Sequence, residues 1–316
     1  MENLIRLDIS KIPKEVLKIL LKDRSTKKNI LWGTDNYKDV DRQLPMDDLM
    51  ENDSDKVFGF ESDLEAHKQI KLKTILDEQL DILRPRVMKS DKTKAGRTKN
   101  KAEVFTPSWI CNKMNNYLDD DWFGRENVFN VAEDKKWCTN NDKIQFSGDD
   151  DWKKYIESTR LEITCGEAPY IASRYDTTTG DVIPIFDRIG MLDRKLRVVK
   201  ENCVTKAEWY EWALKSLKSV YGYEYQGDNL LIARLNVFMT FVEHYEYKFG
   251  AFIEGIPMDI LKEASEIVSW NFWQMDGLME CCLDGSEVHI KDWTKTRSIK
   301  YRSIKDETQK GKKVKK

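Results

Sequence analysis

The chain has 316 residues, 40% apolar and 34% charged, and its 53 Lys/Arg against 55 Asp/Glu leave a net charge of −2. That length and mixture specify a globular protein with a sizeable core and exclude disordered, collagen-like and small disulfide-stapled classes. No run reaches the ~18 apolar residues of a membrane span, and Asp8, Lys11, Lys14, Glu15 and Lys18 break up the first apolar stretch, unlike a secretory leader. A cytoplasmic protein without membrane contact is expected.

The first hundred residues read as mainly helical. Leu72, Ile75, Leu76, Leu80 and Leu83 recur at helical spacing and predict an amphipathic helix over 61–83, ending before Arg84-Pro85. Residues 84–101 follow as a basic linker with eight Lys/Arg against one Asp. From 101 to 305 the texture changes to short β-like runs alternating with helices. The β-like runs are 160–165, 220–225, 267–271, 288–293 and 299–304. Helices are expected over 207–220 and 230–245, and 170–203 as an insertion over the sheet's rim. Such alternation argues for an α/β layer with a partly parallel sheet. The chain closes on a basic tail, 306–316. Two basic segments on an otherwise acidic body suit a polyanion partner, although a solubilising tail would look the same.

Cys111, Cys138, Cys165, Cys203, Cys281 and Cys282 form no CxxC pair, so reduced thiols are expected. Cys281-Cys282 with His289 is a poor metal set, because adjacent cysteines rarely both reach one tetrahedral ion. No metal is expected.

Three segments carry chemistry. In Arg160-Leu161-Glu162-Ile163-Thr164-Cys165-Gly166-Glu167-Ala168-Pro169 a β-branched run breaks at a glycine among small residues. The carboxyl end of a parallel strand is where backbone N–H groups can approach a ligand. In Val220-Tyr221-Gly222-Tyr223-Glu224-Tyr225 an acidic residue ends the next strand, where its two oxygens can accept both ribose hydroxyls. Ahead of both lies Phe105-Thr106-Pro107, with Thr106 and Pro107 placed to start a helix and Phe105 placed to face either a core or a cofactor ring.

In this order the three segments resemble the amino-methylating DNA methyltransferases, specifically the γ-like adenine group found as modification subunits of restriction systems. The likeness rests on Phe105-Thr106-Pro107, on Glu162 through Ala168, and on Gly222-Tyr223-Glu224 followed by Ala233 and Asn236. It implies a Rossmann-like methyltransferase sheet behind an N-terminal helical region. It also implies S-adenosylmethionine held by Phe105, Thr106, Pro107, Glu162, Thr164, Cys165 and Gly166, with Glu224 on the ribose. The chain departs from the family where Glu162 replaces Asp, Ile163 replaces Pro and Ala168 replaces Gly. The family's Asn/Asp-Pro-Pro-aromatic strand has one counterpart here, Asn271-Phe272-Trp273. By resemblance the Asn271 amide and Phe272 carbonyl would hold the adenine N6 amine, and Trp273 would stack on the flipped base. Cytosine N4 is chemically close to that target. The implied partners are DNA and a separate specificity or nuclease subunit. The alternative is a catalytically inactive methyltransferase-fold DNA-binding or regulatory subunit. A nuclease has only scattered acids behind it, with no Lys near Glu162 for a Glu-x-Lys metal site.

Overall fold

The computed structural model describes residues 9–33, 68–76, 83–89, 94 and 105–303. Helices are α1 (Lys14–Leu20), α2 (Leu72–Ile75), α3 (Ser108–Phe123), α4 (Asp151–Glu157), α5 (Met191–Asn202), α6 (Lys206–Lys218), α7 (Gly227–Phe249) and α8 (Met258–Asn271). Strands are β1 (Asn130–Glu133), β2 (Lys136–Thr139), β3 (Arg160–Glu162), β4 (Val220–Glu224), β5 (Phe272–Gln274), β6 (His289–Asp292) and β7 (Arg297–Lys300). The protein is therefore mixed α/β.

Its centre is a three-stranded parallel sheet in the order β3-β4-β5. Glu162 stands opposite Gly222 and Glu224 opposite Gln274, so the carboxyl ends of neighbouring strands line up. One face buries Val220 and Phe272 against apolar residues of α6, α7 and α8. Gly222 has no room for a side chain there, since a Cβ would lie 2.8 Å from the Phe272 ring and 3.1 Å from Cys165 Sγ. The other face packs Tyr223 and Trp273 under Val288 and Ile290 of the β6–β7 hairpin. That hairpin is antiparallel and separate from the parallel sheet, as is β1–β2.

The structure revises several sequence expectations. Residues 267–271 are the last turn of α8 rather than a strand; Leu261, Ala264, Ile267 and Val268 share its buried face at helical spacing. The strand begins one residue later, at Phe272. Of the helix expected over 61–83, only Leu72–Ile75 is helical among the described residues, and most of that span lies outside them. So do much of 84–101 and all of 306–316. The insertion over 170–203 contains α5, whose buried face includes Asp193, Arg194 and Lys195. No helix among the described residues is long and apolar enough to cross a membrane.

Helix α3 is inverted relative to an ordinary surface helix. Its buried positions are Ser108, Cys111, Asn112, Asn115 and Asp119. Arg194, itself buried, binds three of the helix's polar side chains: Asp119 Oδ2 at 2.6 Å, Asn112 Oδ1 at 2.9 Å and Asn116 Oδ1 at 2.6 Å. A buried guanidinium keeps its charge only with such a set of acceptors, so the inward face of α3 has to be polar.

Candidate functional site

The turn after β3 holds three residues in the left-handed region within five positions: Thr164 (φ 48°), Gly166 (54°) and Ala168 (62°). Only Gly166 adopts it without Cβ strain. Ala168, where the resembled family has Gly, is strained by its positive φ. The turn closes through Ala168 N donating to the Cys165 carbonyl at 2.7 Å, and Cys165 N donates to the Tyr223 carbonyl of β4 at 2.8 Å.

Glu224 ends β4 beside this turn. Its Oε2 accepts from Gly166 N at 2.9 Å and its Oε1 from Gln226 N at 3.0 Å. Phe105 packs directly on Gly166: a Cβ there would lie 3.2 Å from the ring. The Arg86 guanidinium lies over that ring, 5.2 Å from its centroid. Glu167 is fully buried; it accepts from Arg86 N and from the Tyr175 hydroxyl, at 2.5 and 2.6 Å. The described part of the basic linker is thus docked against the turn, and Lys89 forms a buried ion pair with Asp228 of α7 at 2.8 Å.

Glu162 lies beneath the turn. Burial pushes its carboxyl well above the usual range, against the amides of Tyr170 and Ile171 that donate to it, and the Glu224 charge adds to the rise. Its Oε2 is buried without a hydrogen-bond partner. The thiol of Cys165 is pushed up by burial and by Glu162 and Glu224, the opposite of what an activated nucleophile needs. Thr164 is exposed, with its hydroxyl on the Ile163 carbonyl.

Thr106 and Pro107 are fixed from elsewhere. Thr177 Oγ1 donates to the Thr106 carbonyl at 3.1 Å, and Pro107 occupies the N-cap of α3 without a side-chain cap. The first helical amide, Ser108 N, donates instead to Asp176 Oδ2 at 2.8 Å. Burial raises the Asp176 carboxyl, but bonds from Thr178, Ser108 and Thr179 outweigh it and bring it below its ordinary value. Asp176, Glu167 and Arg86 are site residues that sequence reasoning missed. The Asp176-Thr177-Thr178-Thr179-Gly180 turn signature was the available signal for the first.

Asn271, Phe272 and Trp273 are not assembled with the turn. Asn271 is fully buried at the amino end of β5. Its Nδ2 donates to the Leu217 and Val220 carbonyls at 2.9 and 3.0 Å, and its Oδ1 accepts from Trp293 Nε1 at 2.8 Å. Val220 starts β4 and Glu224 ends it, so the amide sits roughly 13 Å from the carboxyl end at ~3.3 Å per residue. The Phe272 carbonyl takes Arg234 Nε at 2.8 Å. Trp273 is packed between Tyr223 and Tyr301, with ring centroids 5.8 and 5.9 Å away.

The carboxyl end of β5 belongs to Gln274, which clasps Leu31: Oε1 accepts from its N–H at 2.7 Å and Nε2 donates to its carbonyl at 2.8 Å. This contact lays residues 30–33 across the start of α7, where a Cβ on Gly227 would lie 1.8 Å from the Leu31 carbonyl oxygen. A cavity of about 420 Å³ opens beside Gln274, walled by Asp23, Lys28, Leu31, Lys68 and Asp284. No residue of the 162–168 turn lines it. Among the described residues no group of His, Cys, Asp and Glu could hold a metal ion.

The class these features define is a mixed α/β protein with a parallel three-stranded sheet and a glycine turn joined to an acidic strand end. Comparison of the chain with protein-family models, with curated proteins and with solved structures finds no match.

Proposed function

We propose that the chain is a Rossmann-like, S-adenosylmethionine-dependent DNA methyltransferase acting on adenine N6, working with a separate specificity or nuclease subunit. The observation that supports it most is the Gly166–Glu224 bond. It joins the carboxyl ends of two adjacent parallel strands, where α/β sheets hold nucleoside-containing ligands. The residue types suit the cofactor: Glu224 carries two acceptor oxygens that ribose hydroxyls could take over from Gly166 N and Gln226 N, and Gly166 adds no side chain to the turn, although the Phe105 ring packs on it. The buried Glu162 Oε2 without a partner leaves one polar contact open beneath the turn. Thr164 and Cys165 belong to the same turn and Phe105 packs on it, while by the resemblance Thr106 and Pro107 would contact the cofactor from beside it. When bound, the cofactor supplies an electrophilic methyl group to the exocyclic amine of a flipped base.

A second reading, a methyltransferase-fold DNA-binding or regulatory subunit without turnover, is favoured by the bonds of Asn271 and Phe272. Presenting that amide and carbonyl to a base would require the last turn of α8 to unwind.

Isothermal titration with S-adenosylmethionine, repeated on Glu224→Ala, tests the shared premise: saturable binding lost in the variant supports it, and no binding by the wild type overturns both readings. Transfer of a labelled methyl group to unmethylated DNA then decides between them.

A further inference from the structure

Helix α3 buries Asn112, Asn115 and Asp119 and exposes several of its apolar side chains. Met114, Tyr117 and Leu118 are 53%, 75% and 42% exposed, and half-buried Ile110 continues the stripe. Their spacing of four, three and one places them on a single side of a helix about 24 Å long, at 1.5 Å per residue. Elsewhere on the surface, β3 exposes Leu161 at 45%, and Ile163 just after it is 63% exposed. An outward apolar helix face of this kind is a surface built to be covered.

The charges along this face indicate what covers it. Lys113 and Asp120 lie seven residues apart, two turns along the same flank of the stripe. The end nearer Lys113 is basic, since Lys135 and Lys136 of the β1–β2 turn share a cleft with Lys113 and Trp109 there, although Glu133 and Asp134 also line it. The other end is net acidic: Asp120, Asp121 and Glu126 outnumber Arg125, which is turned to the Phe123 ring and the Gln145 carbonyl, and no basic residue occupies the last turn of the helix. Like charges left together at a helix carboxyl terminus are unfavourable both to each other and to the helix dipole.

We propose that a second copy of this chain covers the face, with α3 packed antiparallel on α3 about a two-fold axis at Tyr117. Antiparallel pairing brings the Lys113 flank of each copy against the Asp120 flank of the other. That is the self-complementarity a two-fold interface requires, and it neutralises both ends while burying Met114, Tyr117 and Leu118. The pairing is independent of whether the turn after β3 binds a nucleotide.

Sedimentation equilibrium of the full chain tests it through a charge swap. The wild type is expected to show twice the chain mass at micromolar concentration, and Tyr117→Glu to be monomeric, because two carboxylates would meet at the axis. Lys113→Glu and Asp120→Lys should each weaken dimerisation roughly tenfold by opposing like charges. The double variant K113E/D120K should return to within about twofold of wild type, a recovery that general damage to α3 cannot produce. A wild-type monomer at all concentrations, or a dimer indifferent to Tyr117→Glu and to both single charge changes, overturns the proposal. So does a double variant weaker than either single.

Discussion

The amide of Gly166 donates to Glu224 Oε2 at 2.9 Å, so the turn after β3 and the end of β4 are one unit. A ribose arriving between them must exchange this bond for two hydroxyl contacts, and the carboxylate stays anchored through Gln226 N on its other oxygen. Glu224→Ala removes both acceptors. With charge-assisted bonds worth about 1.5–3 kcal/mol each, S-adenosylmethionine affinity should fall roughly a hundredfold or more by titration calorimetry. Glu224→Gln keeps one acceptor oxygen and should lose markedly less.

Ala168 sits at φ 62° and is completely buried. Replacing a buried alanine by glycine ordinarily loses about 0.8 kcal/mol of methyl burial plus a backbone-entropy cost of about 0.4–1 kcal/mol. At Ala168 the left-handed strain of about 1–2 kcal/mol is relieved at the same time. Ala168→Gly should therefore stay within about 0.5 kcal/mol of wild type in urea denaturation. Ala213→Gly, equally buried inside α6, should lose about 1.5–2 kcal/mol.

What the sequence could show follows from which residues carry their own signal. β3, β4, α6 and α7 were legible because β-branched and aromatic runs, or apolar residues at helical period, announce them. The end of α8 misled because Ile267, Val268, Trp270 and Phe272 form an uncharged apolar run, which fits a buried helix or a strand equally well. Helix α5 was hidden by Asp193, Arg194 and Lys195, whose burial breaks the apolar period. Lys195, for one, donates to the Ile156 carbonyl and to Ser219 Oγ, both at 2.7 Å. At the site, Gly166 and Glu224 were readable as ends of consecutive strands. Arg86, Asp176 and Glu167 were not, because loops distant in sequence bring them together.

Glu162 makes stability depend on pH in an unusual direction. Burial raises its carboxyl well above the value it has in the unfolded chain. Folding therefore takes up a proton between those two values, and stability falls as pH rises through that window. Glu162→Gln keeps the shape and removes the titration. Urea midpoints should show the variant more stable than wild type at alkaline pH, with the gap narrowing as the pH falls toward the ordinary carboxyl range. A gap independent of pH would mean that Glu162 does not take up that proton.

Asn271 gives the sharpest separation of architecture from chemistry. Its side chain satisfies two carbonyls, at Leu217 and Val220, and one indole N–H, at Trp293, all across the amino end of the sheet. Asn271→Ala leaves these buried groups unpaired and should cost about 3 kcal/mol, lowering the melting temperature by several degrees. Asn271→Asp should be worse, because a carboxylate would face two carbonyl oxygens. Trp293→Phe removes the indole bond while keeping an aromatic ring beneath Lys218 and Lys291, and should cost about 1 kcal/mol. If Asn271 instead serves methyl transfer, Asn271→Ala will abolish labelling of DNA at temperatures where it remains folded, and Trp293→Phe will leave labelling unchanged. A melting temperature equal to wild type for Asn271→Ala would refute the structural assignment outright, since no such network can lose its centre without loss of stability.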